Sequence, residues 1–271
     1  NRATLHTGLY PNMHGVRSNG INLREDLPNI AQILMKRGWR TAVMGKTHFQ
    51  FMSPPYRRKT KSAECWGDWL AEEAGNNPVK GNFPLPYYGF QEVEFATGNG
   101  TICVGHYLDW LEKKSPKHAE FVKKKWRRID NYFSLWCDKG FPEELYSTTY
   151  IKERTIAFLE RHARGDYGDN PFYLHCSFLD PHYPLCPPGK YYDMYKPEEI
   201  ELPPNFKDAK NLYSHKFLGP LLKNPPFFRA FLRETNEEET RKFIALTYGS
   251  VALIDYSIGE ILSTLKKLGY A

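Results

Sequence analysis

Apolar positions recur along the chain with two periods, and the switches between them outline alternating helices and strands. The stretch from Leu27 to Gly38 carries Pro28 near its start, apolar Ile30, Ile33 and Leu34, basic Lys36 and Arg37 in its last turn, and a closing glycine. Both ends of a helix are marked there. Arg40 to Met44 follows as a short apolar strand, so helix, tight turn and strand make half of a βαβ unit. Ser147 to Arg161 reads as an amphipathic helix with Ile151, Ile156, Phe158 and Leu159 on its core side. Asn170-Pro171 breaks it, and Phe172 to Leu179 reads as a buried strand. Glu237 to Leu268 predicts a long helix with Leu246, Leu253, Ile254, Ile258, Ile261, Leu262 and Leu265 as apolar positions, stopped by Lys266, Lys267 and Gly269. The segment from Asn99 to Tyr146 is basic and aromatic and predicts helices, compatible with a lid, an oligomer contact or packing onto the sheet. The order of elements predicts an α/β fold with a mostly parallel sheet, in a single domain over 1–271 with a variable region at about 99–146.

Composition narrows the class. A chain of 271 residues with 41% hydrophobic and 15% aromatic residues has enough apolar mass for a core and does not read as disordered. The net charge of +6 is concentrated at Arg57 to Lys61 and at Lys113 to Arg128. Such patches attract anionic substrates or simply solvate a helix face. No zinc-finger or RNA-recognition signature is present, so nucleic acid is not an expected partner. No apolar run approaches the roughly 18 residues that span a bilayer, so no membrane segment is expected. The cysteines Cys65, Cys103, Cys137, Cys176 and Cys186 are odd in number and widely spaced, and are not expected to form a disulfide framework. Compartment and oligomeric state are open at this level.

Candidate chemistry collects at strand ends. Gly45-Lys46-Thr47-His48 lies at the carboxyl end of the strand from Arg40, and Asp180-Pro-His182-Tyr-Pro184 at that of the strand from Phe172. Open α/β sheets place ligand-binding residues at that edge. Arg2 opens a short helical run stopped by Gly8, where free N–H groups and the helix dipole favour an anion. The ordinary readings are a surface arginine, a strand-end lysine and a capped loop histidine. Pro11 to Asn22 reads as a polar loop with His14 and Asn19 exposed. Flanking prolines restrict the backbone around His182, which suits a fixed imidazole. His175, Cys176, His182 and Cys186 do not match a zinc-ligand spacing.

Arg2-Ala-x-Leu-x-Thr-Gly-x-Tyr-Pro-x-x-His-Gly-Val16, Gly45-Lys-x-His48 and Pro181-His-x-Pro184 together resemble the motifs of the sulfatases, in the alkaline phosphatase superfamily. The resemblance implies an alkaline-phosphatase-like α/β/α sandwich, incomplete here. Asn1 and Arg2 match the last two positions of the family's Cys (or Ser)-x-Pro-x-Arg, which places the nucleophile, oxidised to formylglycine, upstream of Asn1. The chain is accordingly expected to be a piece of a longer domain and inactive by itself. By the same resemblance Lys46 binds the formylglycine and the sulfate, and His48 acts on the formylglycine hydroxyl. His182 contacts the sulfate near the leaving oxygen, Asn19 contacts the anion, and His14 and Asp255 are structural. The implied cofactor is a divalent metal, usually calcium, with no ligand in this chain. The implied partners are a small-molecule or carbohydrate sulfate ester and a formylglycine-generating enzyme. Tyr88 to Phe95 resembles the connection into the family's next strand, and Pro187 to Asn205 a partly substrate-facing loop. The implied activity is sulfuric ester hydrolysis. The alternatives are a phosphonate monoester or phosphodiester hydrolase, whose members carry Tyr and Thr where Lys46 and His48 stand, and a non-catalytic anion-binding homologue.

Overall fold

A computed structural model describes residues 1–52, 62–65, 69, 83–127, 135–137, 139–208, 214–223 and 236–270. The stretch from Phe49 to Tyr88, rich in Pro, aromatic and basic residues and expected from the sequence to form loops and short helices over the site mouth, falls mostly outside these residues, as does the helical reading of Tyr132 to Trp136.

The chain opens with helix α1 (Arg2–Thr7), which ends at Gly8 in the left-handed conformation, and helix α2 (Pro11–His14). Helix α3 (Ile30–Lys36) is capped by Asn29, whose side chain accepts the Gln32 N–H at 3.0 Å. Strands β1 (Arg40–Gly45), β2 (Glu92–Asn99) and β3 (Ile102–Gly105) follow, then helices α4 (His106–Lys114), α5 (Pro116–Arg127) and α6 (Ser147–Ala163). Strand β4 (Phe172–Ser177), helix α7 (Leu218–Lys223) and helix α8 (Glu237–Lys267) complete the order. The sheet runs β3-β2-β1-β4, with β1 parallel to β2 and β4 and β3 antiparallel to β2. Helices lie on both sides, giving the expected α/β architecture. Gly45 pairs in register with Phe95 and with Ser177, so β1 and β4 finish at one edge while β2 runs on to Asn99.

The core is largely aromatic. Phe49, Phe90, Phe95, Tyr107, Tyr146, Tyr150 and Phe158 are fully buried between sheet and helices. Each buried Phe contributes roughly 1.5–3 kcal/mol relative to leaving it in water. Helix α8 begins with a reciprocal capping box between Asn236 and Glu239 and packs against α6. It buries Ala245, Leu246 and Leu253, while Ile258, Leu262 and Asp255 remain exposed. Among the described residues no helix is long and apolar enough to cross a membrane.

Four expectations are corrected. Residues 99–105 form the β2–β3 hairpin instead of helix, because Gly98 and Gly100 take positive φ and a four-residue strand carries too few positions for a period to show. Strand β4 is half-buried up to Ser177, since it occupies the end of the described sheet. His14 turns inward: Pro11 starts a one-turn helix, and the imidazole then bonds Thr4 Oγ1 and accepts the Val16 N–H, both at 3.1 Å. Finally, Cys137 and Cys186 form a disulfide, with Cα atoms 5.1 Å apart. The pairing of Cys137 N with Leu185 O and of Leu185 N with Leu135 O brings together residues 49 apart in sequence, which no local spacing reveals.

Candidate active site

The site is built where β1 and β4 end. Gly45 has φ 105, and a Cβ there would lie 2.0 Å from Ser177 O. Only glycine permits so close an approach. The next residue then bonds across the edge, with Lys46 N donating to Ser177 O at 3.1 Å. From α1, the Arg2 guanidinium donates to Lys46 O at 2.9 Å and to Ser177 Oγ. Arg2 thus stitches the first helix to both strand ends.

Two cations are held close together in a poorly hydrated place. Burial, with Glu64 opposing it, lowers Arg2 from its ordinary value. Lys46 is almost wholly buried and is pushed down to about 8, first by loss of hydration and then by Arg2. Its Nζ lies 3.4 Å from Asn99 Oδ1, at the end of β2. His48 adopts a left-handed conformation with φ 56. Burial, followed by the charges of Lys46 and Arg2, pushes its imidazole down to about 3. His48 is therefore neutral across the physiological range, and its Cε1–H resonance is expected not to titrate between about pH 5 and 8. A midpoint near the ordinary 6.5 would contradict this cationic environment.

His182 lies on the loop after β4, reaches solvent, and places Nδ1 2.5 Å from Tyr183 O. Its pKa is also lowered, mainly by desolvation and partly by Lys46, with the Tyr183 hydrogen bond opposing. Asp180 faces inward instead, accepting from Thr148 Oγ1 at 2.6 Å and Tyr146 OH at 3.0 Å. Burial raises it to about 6, and it anchors the His182 loop to α6.

A cavity of about 240 Å³ opens at this edge, lined by Arg2, Asn19, His48, Asn1, Arg17 and Gln50. The structure thereby brings Arg2, exposed Asn19 and His48 around one space. Lys46 is not among the lining residues but is tied to Arg2 through its carbonyl, and His182 is related to Lys46 and His48 through charge only. The donor set facing the cavity is cationic or neutral and suits an anion. Among the described residues no group of three or more His, Cys, Asp or Glu could hold a metal ion. The divalent metal that the resemblance implies does not fit these residues, and no step is assigned to it.

Sequence reasoning missed Ser177 and Glu64. Ser177 is the last residue of β4, and the strand-end rule that found Lys46 would have found it. Glu64 stands in the stretch between Phe49 and Tyr88, which the sequence reads as loops and short helices. It is fully buried, and its Oε1 accepts from Thr47 Oγ1 (2.9 Å), Phe49 N (2.8 Å), Gln50 N (3.2 Å) and Tyr87 OH (2.7 Å). A lone Glu in a loop carries no signal of such contacts.

Comparison with known proteins places this geometry in a family. The family model described as Sulfatase matches residues 1–271. A sulfatase of Formosa agariphila is 33% identical over 280 residues, covering 100% of this chain and 46% of that protein. An arylsulfatase of Clostridium perfringens is 29% identical over 165 residues, covering 60% of this chain and 31% of that protein. The chain thus spans less than half the length of these relatives. Among solved structures, a phosphonate monoester hydrolase from Silicibacter pomeroyi superposes with a TM-score of 0.62 at 23% identity, covering 99% of this chain and 50% of that one. This likeness shows a shared fold. With the family pattern matched from end to end, the chain belongs to the sulfatase family of the alkaline phosphatase superfamily.

Proposed function

We propose that the protein carrying this chain is a sulfuric ester hydrolase, with Arg2, Lys46 and Asn19 holding the sulfate and His48 and His182 handling protons. The observation that carries this reading is the pair Arg2 and Lys46, held together at the sheet edge although burial depresses both and the charge of Arg2 depresses Lys46 further. A sulfate oxygen placed between them relieves that repulsion. Cations preorganised in this way also stabilise charge that develops in a transition state. Burial is the largest cause of the suppression of His48, and the incoming anion offsets the charges of Lys46 and Arg2 that add to it, so the imidazole regains part of its basicity when substrate arrives. His182, at the open edge, is suited to give a proton to the leaving alcohol oxygen. The family resemblance adds a formylglycine, made from Cys or Ser by a formylglycine-generating enzyme, to supply the attacking oxygen, and a divalent metal, usually calcium. Among the described residues no group of three or more His, Cys, Asp or Glu could hold that metal. The substrate class is a small-molecule or carbohydrate sulfate ester.

Turnover of 4-nitrophenyl sulfate and of a phenylphosphonate ester by the full-length protein tests the reading. Preference for the sulfate ester is expected. Clear preference for the phosphonate would assign the phosphonate monoester activity instead. Tight binding of inorganic sulfate without turnover of either would make it an anion-binding homologue.

A further inference from the structure

We infer that Glu64 is the positioning residue of the segment Lys46 to Gln50 and the buried negative partner of Lys46 and Arg2. Three of its four donors, Thr47 Oγ1, Phe49 N and Gln50 N, bracket His48. They hold the turn in which His48 keeps φ 56, a conformation that residues other than glycine seldom adopt. As β1 ends and its ladder bonds run out, Glu64 takes over as acceptor. Tyr87 OH ties the same oxygen to the core.

The chemistry of the partners selects a carboxylate. Every one of them donates and none accepts, so an ionised, acceptor-only group satisfies the site. Among the described residues its second oxygen, Oε2, is buried with no hydrogen-bond partner, so a proton placed there would find none of them to donate to. Burial raises the Glu64 pKa, while its hydrogen bonds lower it. In return, Glu64 raises both Arg2 and Lys46 against their own burial. The other groups acting on Lys46 are Arg2 from α1 and Cys103 from β3, and Lys46 itself acts on His48 and His182. Glu64 is the acidic residue among these groups.

The variant Glu64→Gln separates charge from geometry. Glutamine keeps an acceptor oxygen at the crowded position and puts its amide where Oε2 has no partner. In the full-length protein, with ¹⁵N-labelled lysine and Lys46→Met to assign the signal, Glu64→Gln is expected to lower the Lys46 titration midpoint below its value of about 8 in the unmutated protein. The alkaline limb of kcat/KM for a sulfate ester is expected to move the same way. Glu64→Ala, which also removes the acceptor, is expected to lower kcat by at least about tenfold more, because the loop geometry goes as well. An unchanged Lys46 midpoint in Glu64→Gln overturns the inference. Should that variant not fold, ¹³C NMR of the glutamate carboxyls in the unmutated protein decides: a Glu64 carboxyl still protonated at pH 7 overturns it, and an ionised one supports it. The role in turnover rests on the sulfatase reading, but the electrostatic role does not. A shifted Lys46 midpoint without sulfate ester turnover would leave Glu64 in its role and remove that reading. Turnover with no shift would do the reverse.

Discussion

Lys46→Met is expected to lower kcat/KM for a sulfate ester by about 10²–10³-fold while making the protein more stable. The loss follows from removing a preorganised positive charge at the place where sulfate oxygens gain charge. Met matches the length and shape of the buried stem, so packing survives. The gain follows from the depressed pKa. Lysine ordinarily titrates at 10.5, and in the fold Lys46 titrates at about 8. Below about pH 8 both states carry the proton, and the folded state bears the full cost of the buried charge, on the order of 3 kcal/mol. From about 8 to 10.5 the folded state loses its proton first, so the penalty fades and stability rises with pH. The advantage of Met is therefore largest at and below neutral pH and closes at the alkaline end. Thermal unfolding from about pH 6 to 11, run beside 4-nitrophenyl sulfate kinetics, checks both halves. A destabilised variant at neutral pH would mean that the ammonium is better solvated than its burial implies. Opposed signs for activity and stability are the mark of a site whose strain serves function.

Gly45→Ala is expected to cost roughly 3 kcal/mol or more, from about 1–3 kcal/mol of backbone strain and a comparable steric term. The steric term is unavoidable because the obstacle is Ser177 O, a backbone atom 2.0 Å from the new Cβ. That carbonyl cannot retreat without stretching its 3.1 Å bond from Lys46 N. In a domain of this size the change corresponds to a fall of roughly 6–12 °C in Tm. Gly8→Ala is the control: φ there is 69 and no atom lies within 4 Å of the new Cβ. It carries backbone strain alone and should cost about 1–2 kcal/mol. Equal losses in the two variants would show that the β1–β4 edge yields more easily than its geometry indicates. Activity in Gly45→Ala should fall further than the unfolded fraction explains, since the displaced bond is the one that sets Lys46.

Much of the frame was legible before any coordinates. Helix α3 announced itself by Pro28, Ile30, Ile33, Leu34 and Gly38, and α8 by its run of apolar positions and its Lys266-Lys267-Gly269 stop. Caps and periodicity act within a few residues, so they are readable locally. The strand-end rule then located Lys46, His48 and His182 at one edge, and the register of β1 with β4 agrees. The β2–β3 hairpin escaped notice because a strand of four residues offers no period to read. The Cys137–Cys186 bond and the contacts of Glu64 escaped because each depends on segments that sequence order keeps apart, and the inward turn of His14 because a one-turn helix offers no period to read.

By itself, then, the sequence determined which residue types stand where β1 and β4 end, because helix and strand boundaries are short-range properties of the chain. Only the tertiary structure decided what those residues are worth. It set Arg2 against Lys46, took water from both, suppressed His48 to about 3 and supplied Glu64 as the buried counter-charge. Desolvation and Coulomb energy depend on distance through space, and folding sets that distance between residues far apart in the chain.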